Sequence, residues 1–84
     1  MYTVYVLYSE KYDKTYTGMS SNMEERFKSH NELAKKGWTK DFRPWIIFYR
    51  EEYLEKQAAL KREKYLKTGA GRRFIRSLIE MRRK

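Results

Sequence analysis

Three titratable residues of this chain sit where a small core would be expected to hold apolar ones. With 100° per residue, a helix from about Asn22 to Ala34 places Met23, Phe27 and Ala34 on one stripe. Arg26, His30 and Leu33 run along one shoulder of that stripe, while Glu24, Glu25, Lys28 and Glu32 fall on the other side. Desolvating a cation without a partner is costly, so Arg26 and His30, one turn apart at the edge of a buried face, read as placed for an anion. Further along, a helix from about Glu55 to Lys67 carries Ala59, Leu60 and Leu66 on its apolar stripe, with Glu63 in the middle. A carboxylate there asks for a partner or a metal. Each residue also has an ordinary reading: Arg26 could cover apolar surface with its stem, His30 could be a satisfied core histidine, and Glu63 could form a structural ion pair with Arg26. A small core that spent these positions without function would lose stability, since burying a salt bridge commonly costs as much as it returns. Function is the simpler account of the set.

The elements that must position these groups can be read in order. Tyr2 to Tyr8 is rich in β-branched and aromatic residues, and Thr15 to Met19 is a second short run of that kind. The polar segment 9–14 between them makes the pair an antiparallel hairpin. Tyr5 and Tyr16 then lie on adjacent strands, where they could form a cross-strand aromatic pair. Gly18, near the strand end, signals special backbone geometry or close approach of another group. Ser21 with Glu24 fits a capping box, and Asn22 with Glu25 is a second candidate one residue on. A basic and aromatic loop from Lys35 to Pro44 follows, and Pro44 pushes Arg43 towards an extended conformation. The continuous apolar run Trp45–Tyr49 suggests a third strand covered on both faces. Gly69-Ala70-Gly71 is expected to stop the second helix, with a last helix from about Arg72 to Arg82 packing Phe74, Ile75, Leu78 and Ile79. The expected fold is an α/β (α+β) domain, residues 1–84: a three-stranded, mainly antiparallel sheet flanked by helices, in the order β-β-α-β-α-α.

Composition narrows the chemistry. Twenty Lys and Arg against eleven Asp and Glu give the 84 residues a net charge of +9. Such a surplus is a statement about partners, and nucleic acid is the commonest polyanion that a cytoplasmic protein meets. Without cysteine and with one histidine, neither disulfides nor a thiolate or multi-histidine zinc site can form, so a metal must be held by oxygen. No stretch approaches the roughly 18 apolar residues of a membrane span, and no signal-peptide pattern opens the chain; a cytoplasmic location is the expectation.

Thr3-Val4-Tyr5, Tyr16-Thr17-Gly18, Arg26 and His30 on one helix, and Ala59-Leu60-Lys61-Arg62-Glu63 on a later one together resemble the GIY-YIG nuclease superfamily. The likeness is greatest to its small stand-alone bacterial branch, related to excision-repair and intron-encoded endonucleases. Arg43-Pro44-Trp45 and the segment 61–67 extend the resemblance over nearly the whole chain. The chain departs from the pattern in carrying Thr-Val-Tyr for Gly-Ile-Tyr and Tyr-Thr-Gly for Tyr-Ile-Gly, while both tyrosines and the second glycine are kept. The resemblance implies a metal-dependent endonuclease, acting on DNA in repair or in processing of structured DNA, with one Mg²⁺ or Mn²⁺ ion. It implies that Glu63 binds the cation, that Arg26 neutralises the scissile phosphate, and that Tyr5, Tyr16 and His30 surround the attacking water, with Tyr5 as base and His30 as its hydrogen-bond partner. Lys14, Lys40, Arg43 and Lys67 are expected to meet nucleic-acid phosphates, and any sequence preference is expected to come from a protein partner or from nucleic-acid shape. Two other classes stay open: a nucleic-acid-binding module without turnover, and an RNA-associated adaptor in which the same residues are structural.

Overall fold

The computed structural model describes residues 1–28, 30–31 and 38–83. Three strands, β1 (Tyr2–Ser9), β2 (Lys14–Ser20) and β3 (Ile46–Tyr53), form one sheet in the order β2-β1-β3, antiparallel throughout. The helices are α1 (Met23–Lys28), α2 (Lys56–Leu66) and α3 (Gly69–Arg83), with a 3-10 turn at Trp38–Phe42. The order β-β-α-β-α-α is the one expected from sequence. Among the described residues no helix is long and apolar enough to cross a membrane.

β1 is the strand on which everything else is laid. It has a partner on each side, and its residues from Thr3 to Ser9 are all buried. Its side chains alternate between two apolar clusters, as the period of two requires. Val4, Val6 and Tyr8 pack with Ala59, Leu66, Ile75 and Ile79 of α2 and α3. Tyr5 and Leu7 pack on the opposite face with Met23 of α1 and with Trp45. Burying each such aliphatic side chain contributes roughly 1.5–3 kcal/mol.

The run Trp45–Tyr49 meets an apolar cluster on each face, as expected, but its strand residues are only partly covered. β3 is an edge strand, half-buried from Ile46 to Tyr49, and it continues through Arg50-Glu51-Glu52-Tyr53. Its apolar continuity has another cause. The register with β1 shifts between Val6, opposite Tyr49, and Leu7, opposite Ile47, so Phe48 is the extra residue of a bulge. Phe48 and Tyr49 therefore both join the cluster on the α2–α3 side, while Ile47 joins the other.

Local signals decide the remaining boundaries. The hairpin closes through Asp13 at φ 52°, a left-handed conformation that aspartate tolerates better than most residues. Its carboxylate accepts a hydrogen bond from the Tyr8 hydroxyl at 2.8 Å and pairs with Arg76 at 2.9 Å. At α1 the Asn22–Glu25 box forms and the Ser21–Glu24 alternative does not: Asn22 Oδ1 accepts from the Glu25 N–H at 3.2 Å, and Asn22 Nδ2 donates to Glu25 Oε2 at 3.2 Å. Leu33 and Ala34, expected on the same helix, lie outside the described residues. Gly69 does not stop a helix but opens α3. Thr68 is the cap, its hydroxyl oxygen accepting from the Gly71 N–H at 3.2 Å. Gly71 is needed for packing, because a Cβ there would lie 2.3 Å from the Tyr65 carbonyl oxygen and 2.4 Å from the Leu66 Cα.

Candidate active site

Tyr5 stands at the middle of the central strand, fully buried, opposite Gly18 on β2. A Cβ at Gly18 would lie 2.5 Å from the Tyr5 hydroxyl oxygen, so the missing side chain is what lets the phenol lie across β2. Tyr16, paired with Leu7, is Tyr5's diagonal neighbour, with ring centroids 6.3 Å apart. His30 closes the group: its ring is 4.6 Å from that of Tyr16 and 6.1 Å from that of Tyr5. Its Nε2 is 3.2 Å from the Tyr5 hydroxyl and its Nδ1 is 3.1 Å from the Thr39 hydroxyl. One nitrogen of a neutral imidazole donates and the other accepts, so Tyr5, His30 and Thr39 form one chain of exchangeable protons.

The segment carrying His30 is fastened from three directions. Arg43 Nε donates to the His30 carbonyl at 2.6 Å. Asn31 clamps the Trp45 backbone, accepting from its N–H at 2.6 Å and donating to its carbonyl at 3.0 Å. Trp45 in turn donates its indole N–H to the Thr39 carbonyl at 2.8 Å.

Charge enters from two elements. Arg26 projects from α1 exposed, not desolvated at the edge of a buried face as the helical spacing suggested; its guanidinium lies against the phenol oxygens of Tyr5 and Tyr16, and the Tyr5 contact holds it more firmly protonated. Glu63 comes from α2, its side chain 22% exposed, with Lys67 Nζ at 3.5 Å one turn on. It is thus half-buried rather than at the centre of the buried stripe, where only Ala59 and Leu66 are fully buried. Among the described residues no ion pair joins Arg26 to Glu63, which removes the structural pairing of those two as an account of either. Burial pushes the Tyr5 phenol above its usual 10.0; the Arg26 guanidinium works against this, and the charges of Tyr16 and Glu63 add to it. Burial also lowers His30 below 6.5, helped by Arg26 and Arg43, so at neutral pH the phenol keeps its proton and the imidazole is uncharged.

The structure brings Tyr5, Tyr16, Arg26 and His30 together, with Glu63 close enough for Tyr5 to feel its charge. The four cations expected at phosphates are spread more widely. Lys14 and Lys67 line a groove along β2, exposed Lys40 lies 3.5 Å from Asp41, and Arg43 is spent partly on the His30 carbonyl. Sequence reasoning missed Thr39, Asn31 and the anchoring role of Trp45. Only Trp45 was legible, as a large apolar residue after a proline; a lone threonine or asparagine carries no such signal.

The sheet, with Tyr5 on its central strand, lies in a stretch that matches a catalytic-domain family whose fold is of nuclease type. The chain belongs to the GIY-YIG family: residues 1–74 match the model of the GIY-YIG catalytic domain. It is similar to the UPF0213 protein SH2523 of Staphylococcus haemolyticus, 31% identical over 70 residues that span 83% of this chain and 85% of that protein. UPF0213 proteins of Staphylococcus aureus strains Mu3 and Mu50 are 35% identical over 65 residues, 77% of this chain and 79% of theirs. No solved structure matches.

Proposed function

We propose that this protein is a divalent-metal-dependent endonuclease that hydrolyses phosphodiester bonds in DNA, acting in the cytoplasm on structured or damaged substrates to which a protein partner directs it. The observation that carries the reading is the placement of Arg26 and Glu63: opposite charges near one tyrosine pair, unpaired with each other. A scissile phosphate between them would meet both.

The donor set bears on the metal directly. Among the described residues no group of three or more His, Asp or Glu could encage an ion. One half-exposed carboxylate suits magnesium, which dehydrates reluctantly and typically keeps several waters beside one or two carboxylates. Glu63 would hold it, and the bound ion supplies Lewis-acid stabilisation of charge developing on the phosphate. The chain's own residues do the rest. Arg26 grips non-bridging phosphate oxygens with its planar fork. Tyr5 accepts a proton from the attacking water as its own passes to His30 Nε2, a relay that avoids a standing phenolate, which burial disfavours. Thr39 fixes the imidazole through Nδ1. The water oxygen bonds to phosphorus in line with the breaking bond to the 3′ oxygen, which takes a proton from solvent as it leaves, giving a 5′-phosphate and a 3′-hydroxyl.

The Lys67–Glu63 contact favours a second reading, a nucleic-acid-binding module whose carboxylate is retired behind an ammonium. Labelled single-stranded, duplex and branched DNA, incubated with and without magnesium, separates the two. Magnesium-dependent cleavage that Glu63→Gln abolishes, with folding and binding kept, is expected; binding without cleavage of any substrate would leave the binding module.

A further inference from the structure

A groove of about 490 Å³ is lined by only one of the two site tyrosines, Tyr16, and leaves Tyr5 outside it. It runs along β2, an edge strand of the sheet, where that strand faces the junction of α2 and α3. Its walls carry Lys14 from β2, Lys67 from the end of α2, and Arg72 and Arg76 from α3. The one carboxylate in the lining, Asp13, is paired with Arg76 at 2.9 Å. Among the described residues neither Lys14 nor Arg72 has a carboxylate partner.

Two residues join this groove to the candidate active site. Tyr16 lines the groove, and its ring meets that of His30 at a tilt, with centroids 4.6 Å apart. Lys67 lines it too and touches Glu63. Tyr16 is the only aromatic in the lining, so the groove lacks the stacking platforms that read or hold bases and offers cations and the hydroxyls of Thr15 and Thr17 instead. Such donors meet phosphate and sugar, which position a nucleic acid without reading its sequence.

We infer that this groove is the track for the sugar–phosphate backbone of one strand beside the scissile phosphate, contacted by Lys14 and Arg72 without regard to sequence. The inference rests on the nuclease reading for its alignment with the bond to be cut. It explains how so small a domain gains purchase on a polymer: the strand enters along the β2 edge and bends past Tyr16 to Arg26.

The test is a binding titration, with cleavage scored separately. A labelled single-stranded oligonucleotide is titrated with wild-type protein and with Lys14→Gln/Arg72→Gln, without divalent cations, across a range of salt. The double variant should bind more weakly, and its log–log salt slope should be shallower by about 1.4, two contacts at ~0.7 each. Arg50→Gln/Arg82→Gln removes the same charge from exposed positions on β3 and α3 outside the groove and should leave the slope in place. Equal slopes for wild type and the groove variant, or no binding by wild type, would overturn the assignment. Tighter binding of polyglutamate than of the oligonucleotide, lost in the same variant, would overturn it too and hand the groove to an acidic protein. If wild type binds with the expected slope change but cuts no substrate with magnesium, the groove stands and the nuclease reading fails; cleavage with an unchanged KM in the double variant gives the reverse.

Discussion

Glu51 and Glu63 are buried to nearly the same degree, with side chains 19% and 22% exposed, and they are held in opposite ways. Glu51, on β3, is saturated. The hydroxyls of Tyr49 and Tyr53 both donate to it, and Arg62 reaches it through Nε at 3.1 and 3.2 Å and Nη2 at 3.0 Å. Burial alone would raise its pKa, but these donors win and hold it below the ordinary 4.5. Glu63 has one ammonium at 3.5 Å. The cations divide in the same way: Arg62 is locked on a carboxylate, whereas Arg26, itself exposed, has phenol oxygens for company and no carboxylate among the described residues. For the two carboxylates, equal burial therefore says little about role. What separates a structural cluster from a candidate site is whether the charged groups have spent their bonding capacity on each other.

The sharpest way to break that comparison is to change the two arginines' neighbourhoods separately. Arg26→Lys keeps the charge and loses the bidentate fork. Turnover should fall about 10²- to 10³-fold, roughly 3 to 4 kcal/mol, with the melting temperature nearly unchanged. Single-turnover cleavage and thermal melts on one preparation check it, and near-wild-type turnover with a lowered melting temperature would place Arg26 in the structural class. Glu51→Gln should do the converse. It leaves Arg62 without its counter-charge and should cost about 1–3 kcal/mol of stability, read from denaturant midpoints. Activity per folded molecule should hold; a loss of turnover with an intact fold would move Glu51 into the site.

The same contrast explains what was legible in the sequence. The fold was, because β1 and β2 carry β-branched and aromatic runs around a polar turn, and α1 begins at a recognisable box. Tyr5, Gly18, Arg26, His30 and Glu63 were legible as misfits or as parts of an ordered set. Glu51 was not: it sits in Arg50-Glu51-Glu52, a charged run that reads as a strand exit, and only the pairing with β1 shows that β3 continues through it. The half-exposure of β3 was misjudged for a related reason. A bulge at Phe48 lets consecutive apolar residues share one face, and no single-sequence period reveals a bulge. Gly69-Ala70-Gly71 misled because glycine serves both to end a helix and to admit a neighbouring backbone; at Gly71 the second need prevails.

Acid should distinguish the two clusters with the smallest effect and the clearest sign. His30 is 7% exposed and its pKa is lowered in the folded state, by burial first and by Arg26 and Arg43 after it. The unfolded chain, with its histidine near 6.5, therefore binds a proton before the folded one does. The stability that His30 contributes is present above that value and is lost as pH falls through the lower, folded value. Glu51 behaves alike one window down: its stabilisation is present above 4.5 and disappears as pH falls through the depressed value. Melting temperatures should thus begin to fall just below pH 6.5 and fall again below 4.5. His30→Gln should remove the upper limb and keep the lower; Glu51→Gln should do the reverse. Cleavage per folded molecule should fall later than the upper limb begins, only as the folded imidazole itself protonates below 6.5, since a protonated imidazole can no longer take the Tyr5 proton. If His30→Gln and wild type lose stability in parallel between pH 7.5 and 5.5, the imidazole is not held neutral by its surroundings, and the relay from Tyr5 loses its acceptor.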